Sequence, residues 1–142
     1  LQELTDDLEI NLESFEYIVI GASVRYGKHR PNVIRFIEEN LDKLQTTPSA
    51  FFSVNAVARK PDRREAQSNP YVKKLFKKIA WRPSLVAIFG GQINYPIYRF
   101  WDKTMIRFIM WVTNGPTDPS AVFDFTEWEE VEKFGETIGD FD

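Results

Sequence analysis

The chain contains no cysteine and only one histidine, His29. The absence of cysteine excludes disulfides, thiolate catalysis and cysteine-ligated zinc. A single histidine cannot form a histidine-rich metal site, so we expect no metal centre, and we interpret His29 as a solvated loop residue before a helix. Long apolar runs are also absent. The longest, such as Phe108–Val112, are far shorter than the roughly 20 residues of a membrane-spanning helix.

Aromatic residues, in contrast, are abundant. They make up 15% of the 142 residues and include twelve Phe and four Trp. Such an excess indicates a flat ligand, a membrane interface or a partner surface, although an aromatic-rich core explains composition alone more simply. The length suits one domain with a single core, which we expect to span residues 1–142.

Charge is distributed unevenly along the chain. The net charge is −3, but residues 55–107 contain twelve Lys and Arg against three Asp and Glu, a local charge of +9. A basic middle segment indicates an anionic partner, such as lipid headgroups, a carboxylate-bearing substrate or nucleic acid, or simply a solvated face. No nucleic-acid-binding motif accompanies it, so we expect no nucleic-acid partner.

Three short β-rich runs alternate with segments of helical periodicity. The runs are Tyr17–Ala22, Ala50–Val54 and Leu85–Gly90, and helices are predicted at 31–44, 71–80 and 98–112. Residues 55–67 read as a long loop, residues 122–125 as a short strand, and Thr126–Glu129 as a capping box that starts a last helix. This order predicts an open parallel α/β sheet with helices on both faces.

Ligands of such sheets bind at the carboxyl ends of the strands, which directs attention to three loops, residues 21–28, 52–61 and 90–99. Gly21, Gly27 and Gly91 allow close approach to the backbone. Tyr26 offers a ring that can stack on a planar heterocycle, and Ser53 and Asn55 can hydrogen-bond its edge. Ordinary strand ends are the alternative interpretation.

Several longer strings are more specific than these loops. They are Val19–Gly27, Pro48–Asn55, Val57–Pro61, Trp81–Pro83 and Tyr95–Arg99, followed by Asp102, Met105 and Ile106. Together they resemble the quinone-dependent protoporphyrinogen dehydrogenases, which are flavodoxin-like FMN proteins, collinearly over nearly the whole chain. The resemblance implies that roughly 30–40 residues, with a strand and the FMN phosphate loop, precede Leu1 in a complete domain.

The activity implied by this resemblance is FMN-dependent oxidation of protoporphyrinogen IX to protoporphyrin IX in haem biosynthesis, with menaquinone or ubiquinone as acceptor. It also implies a peripheral location on the cytoplasmic face of the bacterial inner membrane, in contact with anionic lipid. A flavodoxin-type electron carrier and a general quinone reductase are the alternatives.

We expect two groups of site residues and identify no catalytic side chain. The flavin would be contacted by Ala22, Ser23, Val24, Arg25, Tyr26, Gly27, Ser53, Val54, Asn55, Gly91 and Tyr95. The substrate propionates or the lipid surface would be contacted by Arg59, Lys60, Arg63 and Arg64. In helix 98–112 we assign Trp101, Met105, Phe108, Ile109 and Val112 mainly to the core, with some apolar surface left for lipid or a partner.

Overall fold

A four-stranded sheet forms the centre of the protein in the computed structural model, which describes residues 1–6 and 8–140. Its strands are β1 (Ile18–Arg25), β2 (Lys28–His29), β3 (Ser49–Val54) and β4 (Leu85–Phe89), in the order β2-β1-β3-β4. β3 pairs in parallel with β1 and with β4, with Phe51 opposite Ile20 and Val86. The predicted parallel arrangement of three strands is therefore confirmed.

The helices and a second, smaller sheet surround this centre. The α-helices are α1 (Pro31–Glu39), α2 (Leu41–Thr46), α3 (Pro70–Lys78), α4 (Phe100–Val112) and α5 (Trp128–Gly139). Short 3-10 turns occur at Leu12–Ser14, Ala56–Arg59, Pro61–Arg63 and Tyr95–Ile97. The small sheet pairs β5 (Gln92–Asn94) antiparallel with β6 (Val122–Asp124), so the predicted short strand near residue 122 is confirmed.

Two local predictions were wrong, and a third segment, the loop predicted over 55–67, contains no α-helix or strand, as expected. The helix predicted over 31–44 divides at Asn40, whose side-chain amide donates to the Phe36 carbonyl oxygen and so competes with continuation of the helix. The predicted loop over 55–67 contains two 3-10 turns. The capping box at Thr126 does not form: α5 begins after Glu127 without a side-chain cap, and the Thr126 amide donates to Asp124 instead.

Helices cover both faces of the main sheet. On one face, Ile18 and Ile20 of β1 and Phe51 of β3 belong to a buried cluster with residues of α1, α2 and α3, including Val33, Ile37, Leu44 and Leu75. On the other face, Phe134 of α5 lies 5.9 Å from the rings of both Phe52 and Phe89. The predicted open sheet with helices on both faces is confirmed.

Helix α4 packs differently from the other helices. It covers the small sheet, where Met110 is buried with Ile93 and Tyr95. This apolar surface is small, so only the flank with Ile106, Ile109 and Met110 is covered. The core assignment was therefore wrong for Trp101, Met105, Phe108 and Val112, which are exposed. Within residues 1–6 and 8–140, no helix combines the length and the apolar character needed to cross a membrane.

Candidate functional site

A β-hairpin replaces most of the first predicted loop. β1 continues to Arg25, so Gly21, Ala22 and Ser23 lie within the strand, and the turn consists of Tyr26 and Gly27 alone. Both turn residues have positive φ, 50° and 74°, as in the two-residue type I′ turns that match strand twist. Tyrosine adopts this conformation rarely. The turn places the Tyr26 side chain at the exposed tip of the hairpin.

A cleft of about 280 Å³ lies at the carboxyl ends of β1, β3 and β4. The hairpin lines one side, and α4 lines another through Asp102, Met105, Ile106, Ile109 and Met110. Polar groups are contributed by Ser23, Asn55 and Asp102. The Tyr26 hydroxyl donates to the Asp102 carboxylate, so one hydrogen bond joins the two sides. The cleft is thus largely apolar, with a few polar groups, as small-molecule sites commonly are.

Gly91 contributes bare backbone to this cleft. Its φ is +67°, and a Cβ atom placed on it would lie 2.4 Å from Cγ1 of Val54. Any other residue would meet both the conformational penalty and this contact. The backbone after β4 can therefore approach the end of β3 only because position 91 is glycine.

His29 is buried, with 4% of its surface exposed, so its interpretation as a solvated loop residue was wrong. β2 folds back on β1 and directs the ring inward, where it meets the edge of Phe51. The ring Nε2 lies 2.9 Å from Oγ of Ser53. Burial lowers the pKa of His29 from 6.5 to about 4, so the imidazole is neutral at pH 7.

Three residues expected at the flavin do not line the cleft. Ala22 packs in the main core, and Ser53 is fully buried beneath the cleft-lining residues Val54 and Asn55. Tyr95 is also fully buried. Its hydroxyl donates to the Pro116 carbonyl oxygen, and burial raises the pKa of that hydroxyl. The remaining expected residues do line the cleft, namely Ser23, Val24, Arg25, Tyr26, Gly27, Val54, Asn55 and Gly91.

The four basic residues of the second loop separate into two pairs. Arg59 donates to the backbone and hydroxyl oxygens of Thr113 at 2.8 and 2.9 Å, and Arg64 donates to the Ala58 carbonyl and pairs with Glu127. These two side chains are half-buried and hold neighbouring segments. Lys60 and Arg63 are exposed, and Arg63 pairs with its neighbour Asp62. Of the four, only Arg59 borders the cleft.

Comparison with known proteins decides the family. Residues 2–120 match the flavodoxin domain. The chain is 40% identical over 126 residues to the protoporphyrinogen IX dehydrogenase [quinone] of Escherichia coli strain K12, covering 89% of this chain and 70% of that protein. It is 39% identical over 132 residues to the protein of the same name from Leishmania major, covering 93% and 57%. The chain belongs to the flavodoxin-domain family. No solved structure matches it significantly.

Membership of the flavodoxin-domain family implies flavin binding, and the cleft fits the ring system of a flavin. A volume of about 280 Å³ is near the lower end for ligand pockets, which suits a flat heterocycle more than a whole nucleotide. The Gly91 backbone allows a planar group to approach, Tyr26 offers an aromatic face, and Ser23 offers a hydrogen-bonding group. The structure and the family therefore agree.

The expected flavin residues did not include the α4 residues that line the cleft, nor one residue of α3. Tyr71, in the first turn of α3, lines the cleft beside Gly27. Its only signal was an aromatic residue directly after the Asn69-Pro70 helix start.

A second hollow, of about 720 Å³, follows the outer edge of β1. On that side, opposite β3, no strand within the described residues pairs with Ile18–Ser23. The expectation that a strand and a phosphate loop precede Leu1 stays a prediction.

Proposed function

We propose that this chain oxidises protoporphyrinogen IX to protoporphyrin IX in haem biosynthesis, with FMN in the cleft and a membrane quinone, menaquinone or ubiquinone, as electron acceptor. One observation carries the proposal. The relatives that share about 40% of its residues over 89% of the chain are named protoporphyrinogen IX dehydrogenase [quinone]. The cleft at the strand ends, which suits a flavin ring, supports it.

The chemistry that FMN would supply when bound is two-electron transfer from the porphyrinogen to a quinone, repeated in successive steps until the porphyrin is formed. The contribution of the chain is to bind and orient the reactants. Backbone at Gly27 and Gly91 leaves room for the ring, and Tyr26 presents its aromatic face. The Tyr26–Asp102 hydrogen bond joins the hairpin to α4 and so limits how far the cleft can open.

The propionate groups of the substrate require cations. Lys60 and Arg63 are exposed on the segment that follows the cleft-lining residues 54–57. Arg63 pairs with Asp62, but on the exposed surface, where a substrate carboxylate can replace that partner. Arg59 borders the cleft, but its guanidinium already donates to Thr113 and Ala56. We therefore assign the propionates first to Lys60 and Arg63, and we assign Arg59 and Arg64 to holding the loop itself.

The same chain faces a membrane through α4. One flank of this helix lines the cleft, and the other exposes Phe100, Trp101, Phe108 and Trp111, each between 61% and 79% exposed. Arg99, which precedes this helix as its N-cap, and Lys103 and Arg107 within it complement anionic headgroups. A quinone dissolved in that membrane would then have a short path to the cleft. We place the protein peripherally on the cytoplasmic face of a bacterial inner membrane.

Turnover of the porphyrinogen tests the proposed activity. Purified protein loaded with FMN is mixed with protoporphyrinogen IX under anaerobic conditions, with menadione or a short-chain ubiquinone, and porphyrin fluorescence is followed. Fluorescence that rises only when protein, FMN and quinone are all present supports the proposal. FMN binding without porphyrin formation would indicate a flavodoxin-type carrier instead. Quinone reduction by NADH without porphyrin formation would indicate a general quinone reductase.

Vesicle binding tests the membrane contact. An Arg99→Gln, Lys103→Gln variant should bind vesicles of phosphatidylglycerol and phosphatidylcholine about thirtyfold more weakly, since each basic residue near such a surface contributes about 1 kcal/mol. Lys73→Gln, Lys77→Gln on the exposed face of α3 removes the same charge elsewhere and is the matched control. Equal weakening by both pairs would show that net charge alone matters. Equal binding to pure phosphatidylcholine would remove the electrostatic contribution.

A further inference from the structure

Four buried polar side chains form a continuous hydrogen-bonded chain below the cleft. His29, Ser53, Asn55 and Asn69 are each between 0% and 4% exposed. The links are Nε2 of His29 to Oγ of Ser53 at 2.9 Å, Nδ2 of Asn55 to the same Oγ at 3.1 Å, and Nδ2 of Asn69 to Oδ1 of Asn55 at 3.0 Å. Buried polar groups that satisfy one another in this way stabilise one arrangement strongly.

These hydrogen bonds connect four separate segments of the protein. His29 belongs to β2 of the hairpin, Ser53 to β3, and Asn55 to the turn after β3, where its Oδ1 accepts from the Ala58 amide. Asn69 caps the N-terminus of α3 through the amides of Tyr71 and Val72. Nδ2 of Asn69 also donates to the Arg63 carbonyl oxygen, inside the basic segment 59–64. None of these four polar residues belongs to a hydrophobic cluster of the core.

We infer that His29, Ser53, Asn55 and Asn69 act as one positioning network that couples the hairpin at the cleft to the basic segment 59–64. The inference rests on the proposed function, because the hairpin is where the flavin ring would bind and the basic segment is where the propionates would bind. A shift of the hairpin would break the buried link between His29 and Ser53 and so loosen Ser53 against Asn55. Asn55 accepts from the Asn69 side chain, which holds the Arg63 carbonyl oxygen, so the disturbance reaches the basic segment. The network thereby fixes the position of the flavin site relative to the substrate site.

Strand β3 offers a matched control for this network. Ser49 lies at the opposite end of the same strand and is 2% exposed. Like Ser53, it makes two side-chain hydrogen bonds, donating to the Leu44 carbonyl and accepting from Nε1 of Trp81, both at 3.1 Å. Ser49→Ala therefore removes an equivalent buried hydroxyl, away from the cleft. Any effect of Ser53→Ala that Ser49→Ala lacks belongs to the network.

Amide hydrogen exchange of the protein without flavin tests the coupling directly. Ser53→Ala should accelerate exchange about tenfold or more in both residues 24–29 and residues 56–72, because His29 in the first segment loses its partner and Asn55, which accepts from Ala58 and Asn69 in the second, loses one of its links. It should also raise the FMN dissociation constant about tenfold, measured by flavin fluorescence. Ser49→Ala should leave exchange in these two segments and the FMN dissociation constant at wild-type values.

His29→Gln and His29→Leu distinguish loss of the network from a general loss of stability. The side-chain amide of glutamine can donate to or accept from the Ser53 hydroxyl, as Nε2 of His29 can in its two neutral tautomers, so His29→Gln should keep wild-type exchange, whereas His29→Leu should behave as Ser53→Ala does. The coupling would be refuted if His29→Leu accelerated amide exchange only in residues 24–29. It would also be refuted if Ser53→Ala and Ser49→Ala gave identical exchange patterns. If wild-type protein fails to take up FMN, the proposed function fails, while the exchange comparison still decides the network.

Discussion

A His29→Gln variant should lose most of the acid sensitivity that the buried imidazole imposes on the wild-type protein. Burial lowers the pKa of His29 from 6.5 to about 4, and each pKa unit corresponds to about 1.36 kcal/mol. Because burial penalises the charged ring, the free energy of unfolding should be about 3 kcal/mol lower below pH 4 than above pH 6.5. That is a large fraction of the 5–15 kcal/mol typical of a whole domain.

The sign follows from proton binding. Between pH 6.5 and 4 the unfolded state binds a proton at His29 that the folded state does not, so the free energy of unfolding falls as pH falls. The expected slope from this group is about 1.4 kcal/mol per pH unit, and it ends near pH 4. Glutamine does not titrate, so the difference between wild type and His29→Gln should change by about 3 kcal/mol between pH 7.5 and pH 4.

Urea unfolding of both proteins at several pH values measures this difference, because carboxylate titration is common to both and cancels. His29 is the only histidine, so its ring protons also give an unambiguous NMR titration. A ring that titrates near pH 6.5, or parallel stability curves for the two proteins, would refute the reasoning. In either case the imidazole would be accessible to water, and its link to Ser53 would not constrain it.

Three further predictions concern the cleft. Tyr26→Ala should weaken FMN binding about tenfold, because an aromatic contact contributes about 0.5–1.5 kcal/mol beyond burial. Tyr26→Phe keeps the ring, so its FMN affinity should differ little from that of the wild type. Equal FMN dissociation constants for both variants, measured by flavin fluorescence, would exclude contact between the ring and the flavin. Arg59→Met should lower the free energy of unfolding by about 1.5–3 kcal/mol, since Thr113 loses a charged donor at the end of α4; calorimetry alongside Arg63→Met, which lies outside the cleft lining, provides the comparison. Gly91→Ala should destabilise the protein by more than about 1 kcal/mol because of its positive φ and the Val54 contact. Gly135→Ala is the control, because this position on α5 faces open space, and it should stabilise the protein by about 0.5–1 kcal/mol. Similar shifts in melting temperature for the two variants would show that the backbone at Gly91 does not require glycine.

The parallel sheet was predictable because its signals are local. Runs such as Ala50–Val54 are rich in residues that favour strands and end in small or polar residues, and helical periodicity separates them. The strings around Val19–Gly27 and Pro48–Asn55 were specific enough to indicate the family, which the comparisons confirm. The position of the cleft followed from a general property of such sheets, that ligands bind where parallel strands end.

What the sequence alone determined was therefore the order of strands and helices, the family and the edge of the sheet that holds the site. Tertiary structure decided which side chains face that site. A two-residue turn at Tyr26 folds β2 back and buries His29, and α4 lies over a small sheet, so its large apolar residues stay exposed. Local patterns cannot report either outcome, because burial depends on what the rest of the chain places opposite each residue.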